Sequence, residues 1–140
     1  MRRNVLTYGT FDLFHIGHER ILARAAALGS HLYVGVSTDA FNAEKGKASW
    51  DTYESRKANI EALGLAKVVF PEVAFEQKPG DIRRLGIDVL VMGDDWKGRF
   101  DWLSDLCEVV YLPRTPGISS TMIKLALGAR QVPLAERALV

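Results

Sequence analysis

Two histidines stand three positions apart in residues 8–18, which read Y-G-T-F-D-L-F-H-I-G-H. His15 and His18 closely follow the apolar run Val5-Leu6-Thr7, so they lie where a first β-strand is expected to end. Paired histidines can act as metal ligands, as an acid–base pair or as hydrogen-bond donors to phosphate. Gly17 lies between them and would let a ligand approach the backbone closely.

The metal interpretation can be tested against the other soft ligands of the chain. A zinc site needs at least three protein ligands. His31 and Cys107 each precede a predicted strand, and therefore lie at the opposite, amino edge of the predicted sheet. We therefore predict no metal site built from protein side chains alone. The motif has no adjacent nucleophilic Ser or Cys, which favours charge stabilisation on a phosphate over covalent catalysis.

The charge balance excludes some classes of partner. The chain has 140 residues, with 18 Lys and Arg against 17 Asp and Glu, which suits one domain with one core. A net charge of +1 provides no extended field for a nucleic-acid backbone or an anionic membrane surface, so we expect neither partner. A single cysteine and the lack of a long apolar run predict a cytoplasmic protein.

Short apolar runs alternate with longer segments whose apolar residues recur at helical spacing. The predicted strands are residues 4–8, 32–37, 67–71, 88–92 and 108–112. The predicted helices are residues 18–28, 52–63, 77–85, a short one near 100–106, and 119–129. This order predicts an α/β, Rossmann-like, three-layer fold with a five-stranded parallel sheet whose strands are buried on both faces. One domain would span residues 1–140, with a tail of unassigned role at about 130–140.

Residues suited to chemistry follow the predicted strands. Residues 38–50, predicted as a loop after the second strand, carry Lys45 and Lys47; Lys78 follows the third strand and Asp95 the fourth. The carboxyl ends of parallel strands meet at one edge of a sheet, where open α/β sheets bind ligands. The histidines and lysines are therefore expected to converge there.

The fifth strand leads into a segment suited to an anion. Arg114 precedes the turn Pro116-Gly117, and Ser119 is placed to cap a helix whose first turn adds Ser120 and Thr121. A helix N-terminus offers free backbone N–H groups and a favourable dipole, and arginine offers a fork that matches phosphate. Phosphate binding and an ordinary serine-capped helix are the two interpretations of this segment.

Taken in order, the motifs of the chain resemble those of a known family. They read G-T-F-D-x-x-H-x-G-H at 9–18, S-T-D-x-F-N at 37–42, Y-E-x-R-K at 53–57, E-Q-K at 76–78, V-M-G-D-D-W at 91–96 and C-E-V-V-Y-L-P-R-T-x-G-I-S-S-T at 107–121. The set resembles the cytidylyltransferase branch of the Rossmann-like nucleotidyltransferases over about residues 3–127. Within that branch it is most similar to the enzymes that act on glycerol 3-phosphate.

The resemblance implies roles for individual positions. The implied catalytic residues are His15, His18, Lys47 and Arg114. The implied contacts to CTP are Thr10, Phe11, His15, Ile16, Gly17, His18, Lys47, Asp95, Arg114, Thr115, Pro116, Gly117, Ile118, Ser119, Ser120 and Thr121. Lys45 and Lys78 would hold the acceptor, close to Phe75, where the family often has tryptophan. The resemblance also implies Mg²⁺ carried by the triphosphate, and a homodimer.

The implied reaction transfers the cytidylyl group of CTP to glycerol 3-phosphate. It gives CDP-glycerol and pyrophosphate, for teichoic-acid-like or other surface polymers. One alternative is a cytidylyl- or adenylyltransferase for another phosphorylated alcohol, such as a sugar phosphate, phosphoethanolamine or FMN. Another is a non-catalytic nucleotide-binding module, which would bind CTP without producing pyrophosphate.

Overall fold

The computed structural model describes residues 3–113, which form a parallel sheet flanked by helices. The strands are β1 (Asn4–Gly9), β2 (His31–Ser37), β3 (Ala66–Glu72), β4 (Val89–Gly93) and β5 (Glu108–Leu112). The α-helices of this part are α1 (Ile16–Ala26), α2 (Asp39–Glu44), α3 (Tyr53–Leu63) and α4 (Lys78–Leu85). The strand order is β3-β2-β1-β4-β5 and every neighbouring pair is parallel, which confirms the predicted fold class.

Side chains of the sheet alternate between two cores, one on each face. On one face Val5 packs in a cluster with Leu22 of α1 and Ile60 of α3. On the other face Leu6 packs in a cluster with Ile82 of α4. Because helices cover both faces, the central strands are apolar at successive positions. The three layers place the ends of all five strands at two opposite edges.

The edge strand β3 departs from the prediction of burial on both faces. Within residues 3–113 it pairs only with β2, and Val68 in it is 41% exposed. A strand with one neighbour instead of two is covered less completely. The expectation is therefore wrong for β3, and β5 at the other end of the described sheet has no fully buried residue either. By contrast, β1, β2 and β4 are buried along most of their length.

Two predicted segments differ in their secondary structure. Residues 38–50 are not all loop, because α2 occupies Asp39–Glu44 and the Thr38 hydroxyl caps it by accepting from the backbone N–H of Phe41. A helix of six residues is too short for apolar periodicity to reveal it. The helix predicted near residues 100–106 is a 3₁₀ turn at Asp101–Leu103.

The predicted helix 119–129 and the tail 130–140 lie outside the described residues. In residues 3–113 the longest helices, α1 and α3, have 11 residues each. None of the helices there combines the length and the apolar character that crossing a bilayer requires.

Candidate functional site

The turn between β1 and α1 holds two residues in the left-handed backbone region. Phe11 has a φ of 54° and Leu13 a φ of 49°, conformations that cost non-glycine residues about 1–3 kcal/mol each. The buried carboxylate of Asp12 offsets this cost, since it accepts from the backbone N–H groups of Trp50 at 2.9 Å and Asp51 at 3.0 Å. These bonds fasten the turn to the chain before α3 and fix where α1 begins.

His15 and His18 cap the start of α1 reciprocally. Nδ1 of His15 accepts from the backbone N–H of Gly17 at 3.0 Å, and Nδ1 of His18 accepts from the backbone N–H of His15 at 3.3 Å. The two rings stack with their centroids 3.8 Å apart. Because each Nδ1 accepts, each neutral ring carries its proton on Nε2. Within residues 3–113 the buried Nε2 of His15 has no hydrogen-bond partner, so this donor is left unsatisfied by the described residues.

Burial keeps both rings uncharged. Desolvation, and then the neighbouring His15, lower the pKa of His18 to about 4, although the Asp12 carboxylate acts in the opposite direction. Burial also lowers the pKa of His15. Near neutral pH the pair therefore offers two uncharged N–H donors at a helix N-terminus, which suits hydrogen bonding to an anion.

The lowered pKa of His18 predicts a pH-dependent stability. In the unfolded chain this ring binds a proton near its ordinary pKa of about 6.5, whereas in the folded chain it binds one only near 4. Between these two pH values the unfolded state binds more protons than the folded state. The His18 contribution to the free energy of unfolding is therefore at its maximum above about pH 6.5 and falls as the pH drops toward 4. At pH 5 we expect this ring to cost roughly 2 kcal/mol of stability.

Urea unfolding of the wild type and of His18→Gln at about pH 7.5 and about pH 5 measures this cost. The variant lacks the titrating ring, so its free energy of unfolding should fall less between the two pH values. Parallel losses in the two proteins would assign the pH dependence to other groups.

A cleft opens at the carboxyl edge of the sheet. It is lined by Tyr8, Gly9, Thr10, Ser37, Lys45, Lys47, Glu72, Phe75, Lys78, Met92 and Trp96. Of the binding and catalytic residues predicted from the sequence, Thr10, Lys45, Lys47 and Lys78 line this cleft, whereas His15 and His18 are not among its lining residues. Its lining has three lysines and one carboxylate, so it carries a positive charge that favours an anionic ligand.

One buried carboxylate links two of these lysines. Glu72, at the end of β3, is 3% exposed. Its Oε2 lies 2.6 Å from Nζ of Lys78, and its Oε1 accepts from the Ser37 hydroxyl at 2.9 Å. The Ser37 oxygen accepts in turn from Nζ of Lys45 at 3.2 Å. Lys45, Ser37, Glu72 and Lys78 thus form a continuous chain of hydrogen bonds, which we call the lysine bridge.

Aromatic rings hold the same two ammonium groups. Nζ of Lys78 lies 4.4 Å from the centroid of the Tyr8 ring and 4.7 Å from that of Phe75. Nζ of Lys45 lies 4.2 Å from the centroid of Phe41 and 5.6 Å from that of Phe75. Contacts of this kind stabilise a cation by about 0.5–2 kcal/mol each. Phe75 contacts both cations, so it helps to fix the distance between them.

Asn42 joins the end of β1 to the loop that carries Lys47. Its side-chain oxygen accepts from the Thr10 hydroxyl at 3.2 Å, and its side-chain nitrogen donates to the Ser49 hydroxyl at 2.8 Å. Its backbone carbonyl accepts from the backbone N–H of Lys47 at 2.8 Å. The buried Asn42 therefore fixes the backbone of Lys47 relative to Thr10.

Arg56 of α3 is a buried structural residue behind the cleft. Its guanidinium donates to the backbone carbonyls of Thr10 at 2.9 Å, Ser37 at 2.7 Å and Asp51 at 3.1 Å. It also donates to the carboxylate of Asp39 at 2.6 Å, and its side chain is 0% exposed. Arg56 thereby ties the ends of β1 and β2 to the start of α2 and to the chain before α3.

The other residues named from the sequence lie elsewhere. The Phe11 ring packs in the core against α1, 5.6 Å from the His18 ring, and Gly9 makes room for it, since a Cβ at Gly9 would lie 2.9 Å from this ring. Ile16 is 46% exposed at the start of α1, and Asp95 is exposed on the turn after β4. Outside the described residues lie Arg114, Thr115, Pro116, Gly117, Ile118, Ser119, Ser120 and Thr121.

Sequence reasoning missed Glu72, and it gave no role to Ser37 and Asn42, which stand in the motif at 37–42. Glu72 offered a signal, because a single carboxylate ends a largely apolar strand. Ser37 and Asn42 offered a weaker one, since small polar residues are common at the ends of strands and helices. Ser37 and Glu72 are 35 positions apart, so local spacing could not pair them.

The described residues do not fit a resident metal ion. No group of three or more His, Cys, Asp or Glu side chains converges as ligands in residues 3–113. The carboxylate of the cleft, Glu72, is engaged by Lys78 and Ser37. The Nε2 atoms of His15 and His18 carry protons, which makes them donors rather than ligands.

These features define the class of the protein. It is a Rossmann-like α/β domain with a positively charged cleft at the carboxyl edge of its sheet, which suits an anionic ligand. Uncharged imidazole donors and a cluster of lysines follow strands at the same edge.

The chain belongs to the cytidylyltransferase-like family, which it matches over residues 6–126. It is 56% identical to the glycerol-3-phosphate cytidylyltransferase of Bacillus spizizenii over 122 residues, or 87% of this chain and 95% of that protein. It is 49% identical to the glycerol-3-phosphate cytidylyltransferase of Staphylococcus aureus over 125 residues, or 89% of this chain and 95% of that protein.

Solved structures show the same fold. The crystal structure of a lipopolysaccharide core biosynthesis protein from Thermoplasma volcanium superposes with a TM-score of 0.72 at 22% identity. The superposition covers 82% of this chain and 99% of that one. At this level of identity the likeness concerns the fold alone.

Proposed function

We propose that this chain transfers the cytidylyl group of CTP to glycerol 3-phosphate and releases CDP-glycerol and pyrophosphate. The observation that carries the proposal is the stacked pair of uncharged imidazoles, His15 and His18, which keep Nε2–H free of the helix cap. They follow β1 at the sheet edge where the lysine cleft opens, although neither ring lines that cleft. Similarity to two glycerol-3-phosphate cytidylyltransferases along 95% of their length supports the choice of both substrates.

In the proposed reaction a phosphate oxygen of the acceptor attacks the α-phosphorus of CTP in line, and pyrophosphate leaves. A phosphate monoester is ionised near neutral pH, so the attack needs no strong general base. The protein therefore contributes orientation and charge stabilisation. Orientation of two reactants alone can lower a barrier by about 7–11 kcal/mol.

Each group in the site would have one task in this reaction. His15 and His18 would donate to phosphate oxygens that gain charge in the transition state. Lys47, with Arg114 and the segment 115–121, would bind the triphosphate. Lys45 and Lys78 would bind the phosphate of the acceptor.

Pyrophosphate release tests this proposal directly. The protein is incubated with glycerol 3-phosphate and each nucleoside triphosphate in turn, and we expect release with CTP, with CDP-glycerol as the other product. Release only with ATP, or only with a sugar phosphate, phosphoethanolamine or FMN, would reassign the substrates within the same class. Binding of CTP by calorimetry without pyrophosphate from any acceptor would show a non-catalytic binding module.

We propose that magnesium arrives as the MgCTP complex and not at a resident site. Bound to the triphosphate, the ion would neutralise charge and polarise the phosphoryl oxygens. We expect EDTA to abolish transfer and excess MgCl₂ to restore it, without a change in the Tm of the nucleotide-free protein. A fall in that Tm on addition of EDTA would instead reveal a resident metal.

We also propose a homodimer that associates through the edge strand β3. Leu65, Val68 and Val73 are 38%, 41% and 56% exposed on and beside this strand, and an exposed apolar edge favours association. Light scattering should show a dimer for the wild type and a monomer for Val68→Lys. Leu28→Lys, at an exposed site after α1, serves as the control and should remain dimeric. A monomeric wild type would contradict this proposal.

A place in the synthesis of teichoic-acid-like or other surface polymers follows as a further proposal. CDP-glycerol is an activated donor of glycerol phosphate, so a polymerising transferase would consume it. The proposed location is the cytoplasm, which the single cysteine, Cys107, supports.

A further inference from the structure

We propose that Glu72 and Ser37 are positioning residues for acceptor binding, which set Lys45 and Lys78 as one coupled phosphate-binding pair. This inference rests on the proposed function, because it concerns the part of the cleft assigned to glycerol 3-phosphate. It adds Glu72, which lies outside the quoted motifs, and gives a role to Ser37, which stood in a motif without one. It also implies that one carboxylate, Glu72, positions Lys45 and Lys78, which lie 33 positions apart in the chain.

The geometry of Glu72 supports this assignment. Its two carboxylate oxygens serve different partners, Oε2 facing Lys78 at 2.6 Å and Oε1 facing the Ser37 hydroxyl at 2.9 Å. The side chains of Lys78 and Glu72 are 1% and 4% exposed. Water therefore cannot replace the carboxylate as the partner of this ammonium group. Both oxygens of the Glu72 carboxylate already accept hydrogen bonds from protein groups. The carboxylate can therefore lie next to a phosphate site.

Ser37 connects Glu72 to Lys45 through hydrogen bonds. A hydroxyl has one proton, and donation to Oε1 of Glu72 directs its lone pairs toward Nζ of Lys45, 3.2 Å away. Ser37→Ala would therefore remove the Lys45 arm of the lysine bridge and leave the Glu72–Lys78 pair in place. Glu72→Gln would disturb both arms, because an uncharged amide would replace the carboxylate that accepts from the Lys78 ammonium and from the Ser37 hydroxyl.

The charges explain why a carboxylate belongs in a site for an anion. A buried ammonium without a counter-charge loses its proton, and a neutral amine binds phosphate weakly. Burial already lowers the pKa of Lys45 to about 8; Glu72 raises it, whereas Lys47, Lys78 and Arg56 lower it. Glu72 thus favours the charged form of Lys45 before the acceptor arrives. With two lysines and one carboxylate, the bridge has one formal net positive charge for the phosphate.

A purely structural role is the rival explanation. Ser37 and Glu72 are also register partners at the ends of β2 and β3, so their hydrogen bond could serve only to hold two strands together. A structural role predicts a lower Tm and similar effects on both substrates. A positioning role predicts an effect confined to the acceptor, with a changed pH profile.

The test measures steady-state kinetics with MgCTP and varied glycerol 3-phosphate between about pH 6.5 and pH 9. For Glu72→Gln we expect the KM for glycerol 3-phosphate to rise about tenfold or more, while the KM for CTP changes less than about twofold. Ser37→Ala should raise the acceptor KM by a smaller factor, about threefold. In both variants the alkaline rise of the acceptor KM should begin at a lower pH than in the wild type.

Asp88→Asn is the matched control. It removes a carboxylate at the opposite edge of the sheet, where Oδ2 accepts from the backbone N–H of Asn4 at 2.8 Å. We expect neither KM nor its pH profile to change in this variant. Similar changes in both KM values for a folded Glu72→Gln, or an unshifted pH profile, would overturn the inference. If Glu72→Gln does not fold, the pH profile of Ser37→Ala decides the question in the same way.

Calorimetric titration with glycerol 3-phosphate separates this inference from the proposed function. If the wild type binds glycerol 3-phosphate, Glu72→Gln weakens that binding, and no CDP-glycerol forms, the proposed function is wrong and the assignment of Glu72 stands. If the wild type forms CDP-glycerol and Glu72→Gln binds and uses the acceptor normally, the proposed function stands and the assignment of Glu72 is wrong.

Discussion

Replacement of His18 by alanine is expected to lower the kcat of cytidylyl transfer by about 10²–10³-fold, because it removes one donor to the transition state. Nδ1 of His18 accepts from the backbone of His15, which leaves the Nε2–H group for a phosphate oxygen. The same substitution deletes one contact of the α1 cap, worth about 1 kcal/mol. The variant should therefore fold, with a modestly lower Tm.

His31→Ala is the control for this variant. His31 is the first residue of β2, at the amino edge of the sheet, and its replacement should leave kcat unchanged. Initial rates of pyrophosphate release near pH 7.5, where His18 is uncharged, measure both variants. A loss of less than about threefold for His18→Ala would remove this ring from the transition-state contacts.

Replacement of Arg56 by methionine is expected to cost on the order of 3–5 kcal/mol of stability. Methionine fills much of the buried space but leaves the backbone carbonyls of Thr10, Ser37 and Asp51 without this donor. A domain of this size has a total stability of about 5–15 kcal/mol. The variant should therefore unfold at a Tm about 10 °C lower or more.

Arg84→Met provides the comparison for Arg56→Met. Arg84 also pairs with a carboxylate, that of Asp81 at 3.1 Å, but its side chain is 60% exposed. An exposed ion pair contributes about 1 kcal/mol or less. Thermal and urea unfolding should show a far smaller loss for Arg84→Met, and comparable losses would contradict the structural role of Arg56.

The fold was predictable because the central strands are unambiguous in the sequence. Val5 and Leu6 face opposite cores, and both cores are apolar, so the strand appears as a continuous apolar run. The exposure of β3 was not predictable in this way. An apolar edge strand has the same composition as a buried one, and only the order of strands in space distinguishes them.

The site was predictable where its residues follow a strand directly. Lys45, Lys47, Lys78 and Thr10 meet because the carboxyl ends of parallel strands meet. The partners that hold these residues are set by long-range contacts. Arg56 bonds to a carbonyl 46 positions away, and the reciprocal cap of the histidines depends on backbone geometry that residue types do not encode. Arg114 and the segment 115–121 stay predictions.

If the stacked histidines bind phosphate as proposed, phosphate recognition has one part that responds to ionic strength and one part that does not. Both imidazoles are uncharged near neutral pH because burial lowers their pKa values, so their hydrogen bonds lose little when dissolved ions screen charges. The lysines attract a charged acceptor over distances that ions screen within about 10 Å at 0.1 M salt. Salt should therefore raise the KM for the acceptor while kcat changes little. With this division of roles, the proposed transition-state contacts would persist at high ionic strength, and only the rate of acceptor binding would fall.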